Sequence, residues 1–251
     1  MKRKKNIRIL IGIAISLLLV NIIQNVESFH TWNVSFYPQF NFMFYEDVKS
    51  EKDFFPLSLG MTWIYEKEIQ EGMEQEQTFI VKEEVVEIIN RNNLTGAVIK
   101  ETNLTKNEQS IVKYIIVRVG NSIYYSFDRY KGEFILKRLR DNDDNLYDLV
   151  ESRCPFLHAP LSAGDIFGDP KSITRDDAMY SWHVISKEKV HLYVDGLESN
   201  KLFDQYTMEF RTCPDQKEVK IVPHIGIVEE HYKHHGYPYY IHKFLIKCYL
   251  K

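Results

Sequence analysis

From Met61 onward the apolar positions come in short runs of roughly five to fifteen residues, rich in Val, Ile, Tyr and Phe and separated by turn residues. That pattern predicts strands over Thr62–Glu68, Thr78–Ile89, Gly96–Glu101, Ile111–Val119, Ser122–Arg129 and Glu133–Arg138. Further strands are predicted over Tyr180–Val194, Phe203–Arg211, Glu218–Val222, Gly226–His234 and Tyr239–Leu250. Gly120-Asn121 falls between two runs as a two-residue hairpin signal, and Tyr130-Lys131-Gly132 closes the next hairpin. Successive hairpins imply antiparallel pairing. No segment beyond the N-terminus holds a 3.6-residue apolar period for long, so the expectation is an all-β, mainly antiparallel domain, curved or barrel-like. The longest break in the pattern runs from Asp141 to Arg175.

The one long apolar block stands at the start. Lys2, Arg3, Lys4, Lys5 and Arg8 precede an apolar block from Ile9 to Ile23, the order of an N-terminal hydrophobic helix that directs export. A fifteen-residue apolar block, with Asn21 within it, suits a signal-peptide core and falls just short of the roughly 17–25 of a spanning helix, so a cleaved signal and a retained anchor both fit. No Cys follows the block directly, which excludes a lipidated N-terminal cysteine. The chain therefore divides into a signal peptide or anchor at 1–28, a tether or juxtamembrane segment at 29–54 and a β-rich extracytoplasmic domain at 55–251. Its expected place is the outward face of the cell membrane, or the medium after secretion. The membrane is the first partner implied.

Phe55-Pro56-Leu57-Ser58-Leu59-Gly60 and Ala159-Pro160-Leu161-Ser162-Ala163-Gly164 share Pro-Leu-Ser-x-Gly, and each precedes a β-patterned stretch. Two related halves and convergent turn chemistry are both open readings of that repeat. The segments Phe55-Pro56-Leu57-x-x-Gly60-x-x-Trp63-x-Tyr65 and Gly226-Ile227-Val228-x-Glu230-x-Tyr232 resemble an uncharacterised group of exported bacterial β-proteins, many of them lipoproteins, that open with Pro-Leu-x-x-Gly-x-x-Trp-x-Tyr. The resemblance covers roughly residues 55–250 and implies a β-rich envelope protein with no catalytic residues to carry over. This chain departs from the group in lacking the lipidated cysteine.

The net charge of −3 includes the basic head, so the remainder is more acidic, and no basic tract after residue 8 offers a nucleic-acid surface. Cys154, Cys213 and Cys248 show no CxxC spacing. In an oxidising compartment Cys154 and Cys213 are the expected pair, with Cys248 a buried thiol in an alternating strand. Asn33, Asn93 and Asn103 open glycosylation sequons, which matter only in a cell that glycosylates.

Chemistry concentrates near the C-terminus, where His231, His234, His235 and His242 fall within twelve residues. A two-residue turn at Gly236-Tyr237 would set His231 directly across a hairpin from His242, with Glu229 on the same face. Opposed Cβ atoms lie about 4.5–5.5 Å apart, close enough for two imidazoles and a carboxylate to share a zinc ion. The plainer reading is a solvated hairpin, and it is favoured at this stage because no compact signature such as His-Glu-x-x-His is present. Asp141, Asp143 and Asn145 have the opening spacing of a calcium loop, but Leu146 and Ser152 stand where Gly and Glu are needed. There is no Gly-x-Ser-x-Gly elbow and no glycine-rich phosphate loop.

The 34 aromatic residues admit core packing or a lining for a small apolar or sugar ligand. In Ile123-Tyr124-Tyr125-Ser126-Phe127, alternation puts Ile123, Tyr125 and Phe127 on one face and Tyr124 on the other. The preferred function is a non-enzymatic envelope protein, membrane-anchored or secreted, that binds a small apolar or sugar ligand or an envelope protein, with no cofactor. The alternative is a metal-binding protein or metal-dependent enzyme using His231, His242 and Glu229, with zinc as the metal.

Overall fold

A computed structural model describes residues 54–91, 93–106, 111–120, 122–141, 155–198 and 200–250, all within one unit, Ser50–Lys251. The leader, the tether up to residue 53, Cys154, Asp143 and Asn145 lie outside the described residues. The described chain runs β1 (Thr62–Glu71), β2 (Gln77–Arg91), β3 (Leu94–Asn103), β4 (Ile111–Val119), β5 (Ile123–Asp128), α1 (Arg129–Arg140) and β6 (Leu157–His158). It continues with β7 (Ile166–Gly168), β8 (Ser181–His191), β9 (Leu202–Arg211), β10 (Asp215–Val222), β11 (Gly226–His234) and β12 (Tyr239–Tyr249).

All twelve strands join one sheet in the order β6-β5-β4-β3-β2-β1-β12-β11-β10-β9-β8-β7. Every neighbouring pair is antiparallel. The sheet curls into a nearly closed barrel, with β6 and β7 flanking the gap. The expected fold class is thus the observed one. β6 and β7 fall inside the stretch read as a break, because two and three residues are too short to show a period.

The sequence repeat is a structural repeat. Gly60 N–H donates to Val85 O at 2.8 Å, Val85 N–H donates to Met61 O at 3.0 Å, and Met61 N–H donates to Ser58 O at 2.9 Å. In the second half Gly164 N–H donates to Val184 O at 2.8 Å, Val184 N–H to Asp165 O at 2.9 Å, and Asp165 N–H to Ser162 O at 3.0 Å. Gly60 and Gly164 adopt φ of 77° and 93°, the left-handed region that an L side chain resists. Leu57 and Leu161 enter the same core, and a bulge follows each valine, at Val85/Glu87 and Val184/Ser186. Six strands of each half then follow as a meander, and β1·β12 is the only strand pairing that joins the halves among the described residues.

The barrel interior is an aromatic core. Trp63 Nε1–H donates to Ile225 O at 2.6 Å and the Tyr65 hydroxyl to Ile227 O at 3.1 Å, so the two segments that carry the family resemblance pack on each other. A chain of rings runs Trp63, Phe55, Phe156, Trp182, Phe210 with centroids 5.2–6.0 Å apart, linking the two halves by packing on the side of the gap.

A second core lies on the outer face of β3–β5 beneath α1, where Leu94, Val98, Ile115, Val117, Tyr125 and Phe127 meet Ile135, Leu136 and Leu139. This corrects the strand expected over Glu133–Arg138. Its run Phe134-Ile135-Leu136 is short enough to fit either element, and two local features decide for helix. The Asp128 carboxylate caps the first turn by accepting from Lys131 N–H at 3.0 Å, and Lys137, Arg138 and Arg140 face the carbonyl end of the last turn. Gly132 lets the helix approach the sheet, since a Cβ there would run into the Ile115 side chain. Tyr124 turns inward while Tyr125 and Phe127 lie under α1, as alternation requires. No helix among the described residues is long and apolar enough to cross a membrane.

Cys248 is buried, and burial first, with Asp195 second, pushes its thiol up to about 11. Cys213 is exposed and its thiol is free, so the bridge to Cys154 expected from the sequence is not formed at this end.

Beyond the aromatic core the interior carries charge. Lys243 and Glu83 are 3% and 1% exposed, with Lys243 Nζ 3.1 Å from Glu83 Oε1 and 3.3 Å from Glu230 Oε2. The Tyr114 hydroxyl donates to Glu83 Oε2 at 2.7 Å, the Tyr65 ring lies 4.3 Å from the ammonium, and Lys217 pairs with Glu230 Oε1 at 2.8 Å. Burial works to lower the Lys243 pKa, but Glu83 and Glu230 outweigh it and the net direction is upward. Burial, then Glu83, holds the Tyr65 and Tyr114 hydroxyls well above the ordinary phenol value.

Leu139→Ala should cost about 2–5 kcal/mol in urea unfolding, whereas Phe134→Ala, at a side chain 56% exposed, should stay within about 0.5 kcal/mol; equal effects would contradict the second core. Groups whose folded pKa is raised keep their protons longest in the native state, so their stabilisation is whole below the unfolded values of about 10 and lost as pH rises past them. Melting should therefore be steady from pH 7 to about 8, begin to fall near pH 9 as Cys248 ionises in the unfolded chain, and fall further above about pH 10. Lys243→Met, which leaves two carboxylates facing each other, should cost about 3–5 kcal/mol at pH 7 and soften that alkaline decline. Wild-type stability in the variant at pH 7 would refute the role given to the ammonium.

Candidate metal centre

The alternation that sends Lys243 and Leu245 inward sends His242 and Phe244 outward, and the same parity on β11 places Glu229 and His231 outside while Glu230 reaches the interior. The hairpin register is the expected one, with His231 opposite His242 and Glu229 opposite Phe244. Two rows of outward residues cross four strands. One reads Glu68, His242, His231, Glu218 on β1, β12, β11 and β10, and the next reads Glu66, Phe244, Glu229, Lys220.

Within this patch the imidazole rings of His231 and His242 stack with centroids 4.2 Å apart and planes 13° apart. Both Nε2 atoms point at one carboxylate oxygen, Glu229 Oε1, at 2.7 Å from His231 and 3.2 Å from His242. Lys220 Nζ donates to the other oxygen, Oε2, at 2.6 Å, so the carboxylate offers only Oε1 to the histidines. The Nδ1 atoms face away, that of His231 3.0 Å from the Tyr240 hydroxyl and that of His242 3.0 Å from Glu68 Oε2. All six groups are half-buried by their neighbours.

Burial works against the charged form of Glu229, but the hydrogen bonds from Lys220 and His231 and their charges outweigh it and bring the carboxyl down to about 2. It is a carboxylate at any physiological pH. Tyr240 is raised, by burial first and then by Glu68 and Glu229.

The proton inventory of His242 is the informative point. A neutral imidazole owns one N–H, yet both ring nitrogens of His242 face carboxylate oxygens, which are acceptors only. With the N–H turned to Glu68, the Nε2 lone pair meets the lone pairs of Glu229 Oε1. His231 has no such conflict, because the Tyr240 hydroxyl can donate to Nδ1 while Nε2–H donates to Oε1. A positive species at the convergence point, proton or metal ion, resolves the conflict at His242.

The three ligand atoms all lie within 4.8 Å of one another. Zinc bonds of about 2.0–2.2 Å set ligand atoms roughly 3.3 Å apart in a tetrahedron, so the observed 2.7 and 3.2 Å separations would open slightly, and the stacked rings, 13° apart in plane, would turn to aim both Nε2 lone pairs at one ion. Glu66, Glu68, Glu218 and Glu229 against Lys220 make the surroundings favourable to a cation. The structure thus brings together Glu229, His231 and His242, the three residues named from the sequence. Of the other two clustered histidines, His234 turns to Asp215 with Nδ1 2.6 Å from Oδ1, and His235 lies in the turn.

Glu68, Lys220 and Tyr240 were not named from the sequence. Glu68 arrives through the β1·β12 pairing, 174 residues away from His242. Lys220 is close in sequence, but a bulge between Lys220 and Ile221 shifts the β10·β11 register by one, and counting back from the turn would place it on the wrong face. The signal for Tyr240 was available: two residues before His242 on one strand, it shares that residue's face.

No protein-family model and no curated protein sequence matches the chain. Two solved structures are similar in layout. One is a candidate exported protein with a YmcC-like fold from Bacteroides fragilis NCTC 9343, at a TM-score of 0.42 and 11% identity, covering 79% of this chain and 99% of that one. The other is a candidate lipoprotein from Parabacteroides distasonis ATCC 8503, at a TM-score of 0.37 and 10% identity, covering 80% of this chain and 100% of that one. At these scores and identities the likenesses carry no argument about activity or location.

Proposed function

We propose that the chain is an extracytoplasmic β-barrel protein, held at the outward face of the cell membrane or released from it, that binds a divalent metal ion through Glu229, His231 and His242 without enzymatic turnover. The basic head and apolar block of residues 1–23 support the location. One observation carries the binding reading: two imidazole Nε2 atoms converge on a single carboxylate oxygen that Lys220 has already separated from its twin. Two nitrogens and one oxygen form a donor set that suits zinc. The rings of Tyr124, Tyr125 and Phe127, read from the sequence as a possible lining for an apolar or sugar ligand, are committed to the two cores. That leaves the histidine patch as the better supported ligand site.

The purified full-length chain in detergent, stripped with chelator, should take up about one zinc ion per molecule in equilibrium dialysis with elemental analysis. A free zinc concentration 100-fold above the dissociation constant should stabilise it by about 2.7 kcal/mol, and EDTA should reverse the shift. The double variant His231→Ala/His242→Ala should lose both effects. Absence of bound zinc together with melting indifferent to chelator would remove the proposal.

A further inference from the structure

We infer that Glu68, on the opposite half of the barrel from the three metal ligands, is the positioning residue that makes His242 a ligand, and that the site selects a borderline transition-metal ion such as zinc over calcium or magnesium. The inference rests on the metal-binding reading above and deepens it. An imidazole binds a metal through a lone pair, so the nitrogen aimed at the ion must be unprotonated and the ring's one proton must sit on the other nitrogen. At His242 the nitrogen aimed at the convergence point is Nε2, and Glu68 Oε2 accepts from Nδ1–H at 3.0 Å. This hydrogen bond fixes the tautomer with Nε2 free, holds the ring against rotation, and raises the basicity of the ligating nitrogen. Glu68 needs no reach to do so, because the β1·β12 register sets it directly opposite His242.

At His231 the ring proton, on Nε2 in the metal-free arrangement, would move to Nδ1 on metal binding, where the Tyr240 oxygen 3.0 Å away is a neutral acceptor. Glu68 is therefore the stronger of the two outer partners. Lys220 completes the arrangement by holding Glu229 Oε2, which leaves a single carboxylate oxygen for the ion. Calcium and magnesium seek six or more oxygen donors, whereas this patch offers two nitrogens and one oxygen. Three protein ligands on an outer barrel face leave the fourth tetrahedral position to water, the pattern of an exchangeable site rather than of a closed structural one.

The test compares the full-length chain in detergent with Glu68→Gln, Glu68→Ala and His242→Ala. Zinc affinity is measured by competition with a chromophoric chelator, calcium and magnesium are tried alone in parallel, and imidazole nitrogen spectra of histidine-labelled protein report the tautomer of His242. Wild type should bind zinc and show His242 protonated on Nδ1 in the metal-free state. Glu68→Ala should bind zinc 10–100-fold more weakly and lose the fixed tautomer, and Glu68→Gln, which keeps a neutral acceptor, should weaken binding less, while their metal-free melting temperatures show that the fold is kept. Wild type that binds no zinc overturns the metal reading itself. Wild type that binds zinc, with both Glu68 variants at wild-type affinity and tautomer, overturns the positioning role and leaves the metal reading standing. Calcium or magnesium binding as tight as zinc overturns the selectivity.

Discussion

The pairing of β1 with β12 is the constraint from which the rest of the structure follows. It joins two six-strand meanders that meet in no other ladder among the described residues, and it runs for ten residue pairs from Thr62↔Tyr249 to Glu71↔Tyr239. Side chains alternate along it, so one register fixes both faces at once: Trp63 and Tyr65 go into the core, and Glu66 and Glu68 go outside. A bulge between Ile64 and Tyr65 keeps this consistent. It sets Trp63 opposite Cys248 and Tyr65 opposite Leu245, inward residues that an unbroken ladder would have sent to different faces.

The two polar clusters are products of that register on opposite sides of the same strands. Inside, Lys243 of β12 lies between Glu83 of β2 and Glu230 of β11; outside, His242 lies between Glu68 of β1 and Glu229 of β11. A slip of one residue would exchange the contents of the two faces, leaving the ammonium in solvent and its carboxylates buried without it. Desolvating three charges is costly, and such a cluster is weak grounds for high stability in itself. Its effect is to penalise the wrong pairing more than to strengthen the right one. The apolar alternation of β12, Tyr239, Ile241, Leu245, would tolerate more than one partner; the lysine in its midst does not.

Periodicity made most strands legible. β4 and β11 have the bounds expected from the sequence, and the His231–His242 pairing followed from turn length alone. The Pro-Leu-Ser-x-Gly repeat was readable as a motif, and its hydrogen-bond pattern recurs residue for residue in the two halves. What escaped was of two kinds. Helix α1 was hidden because its buried positions, Gly132, Ile135, Leu136 and Leu139, fill barely two turns, too short for a period to outweigh the surrounding strand pattern. Glu68 and the interior carboxylates were hidden because their meaning depends on which distant strands become neighbours. A glutamate in an alternating strand reads as solvent-facing whether it faces water, as Glu66 does in part, or closes a buried cluster, as Glu83 does.

The order of dependence between fold and site runs one way. In small zinc domains the ion supplies the folding energy that a thin core cannot, and ligands assemble only as the metal binds. Here the ligands stand on strands already held by a filled aromatic core and by ladders on both sides, and Glu229, His231 and His242 converge through register alone. With the backbone positions already fixed, an ion bound here would have only the side-chain rings to reorient. An ion bound there would add to the stability of the native state by mass action without being required for it. Because Glu68 belongs to one half and Glu229, His231 and His242 to the other, the hydrogen bonds of the patch cross the β1·β12 junction.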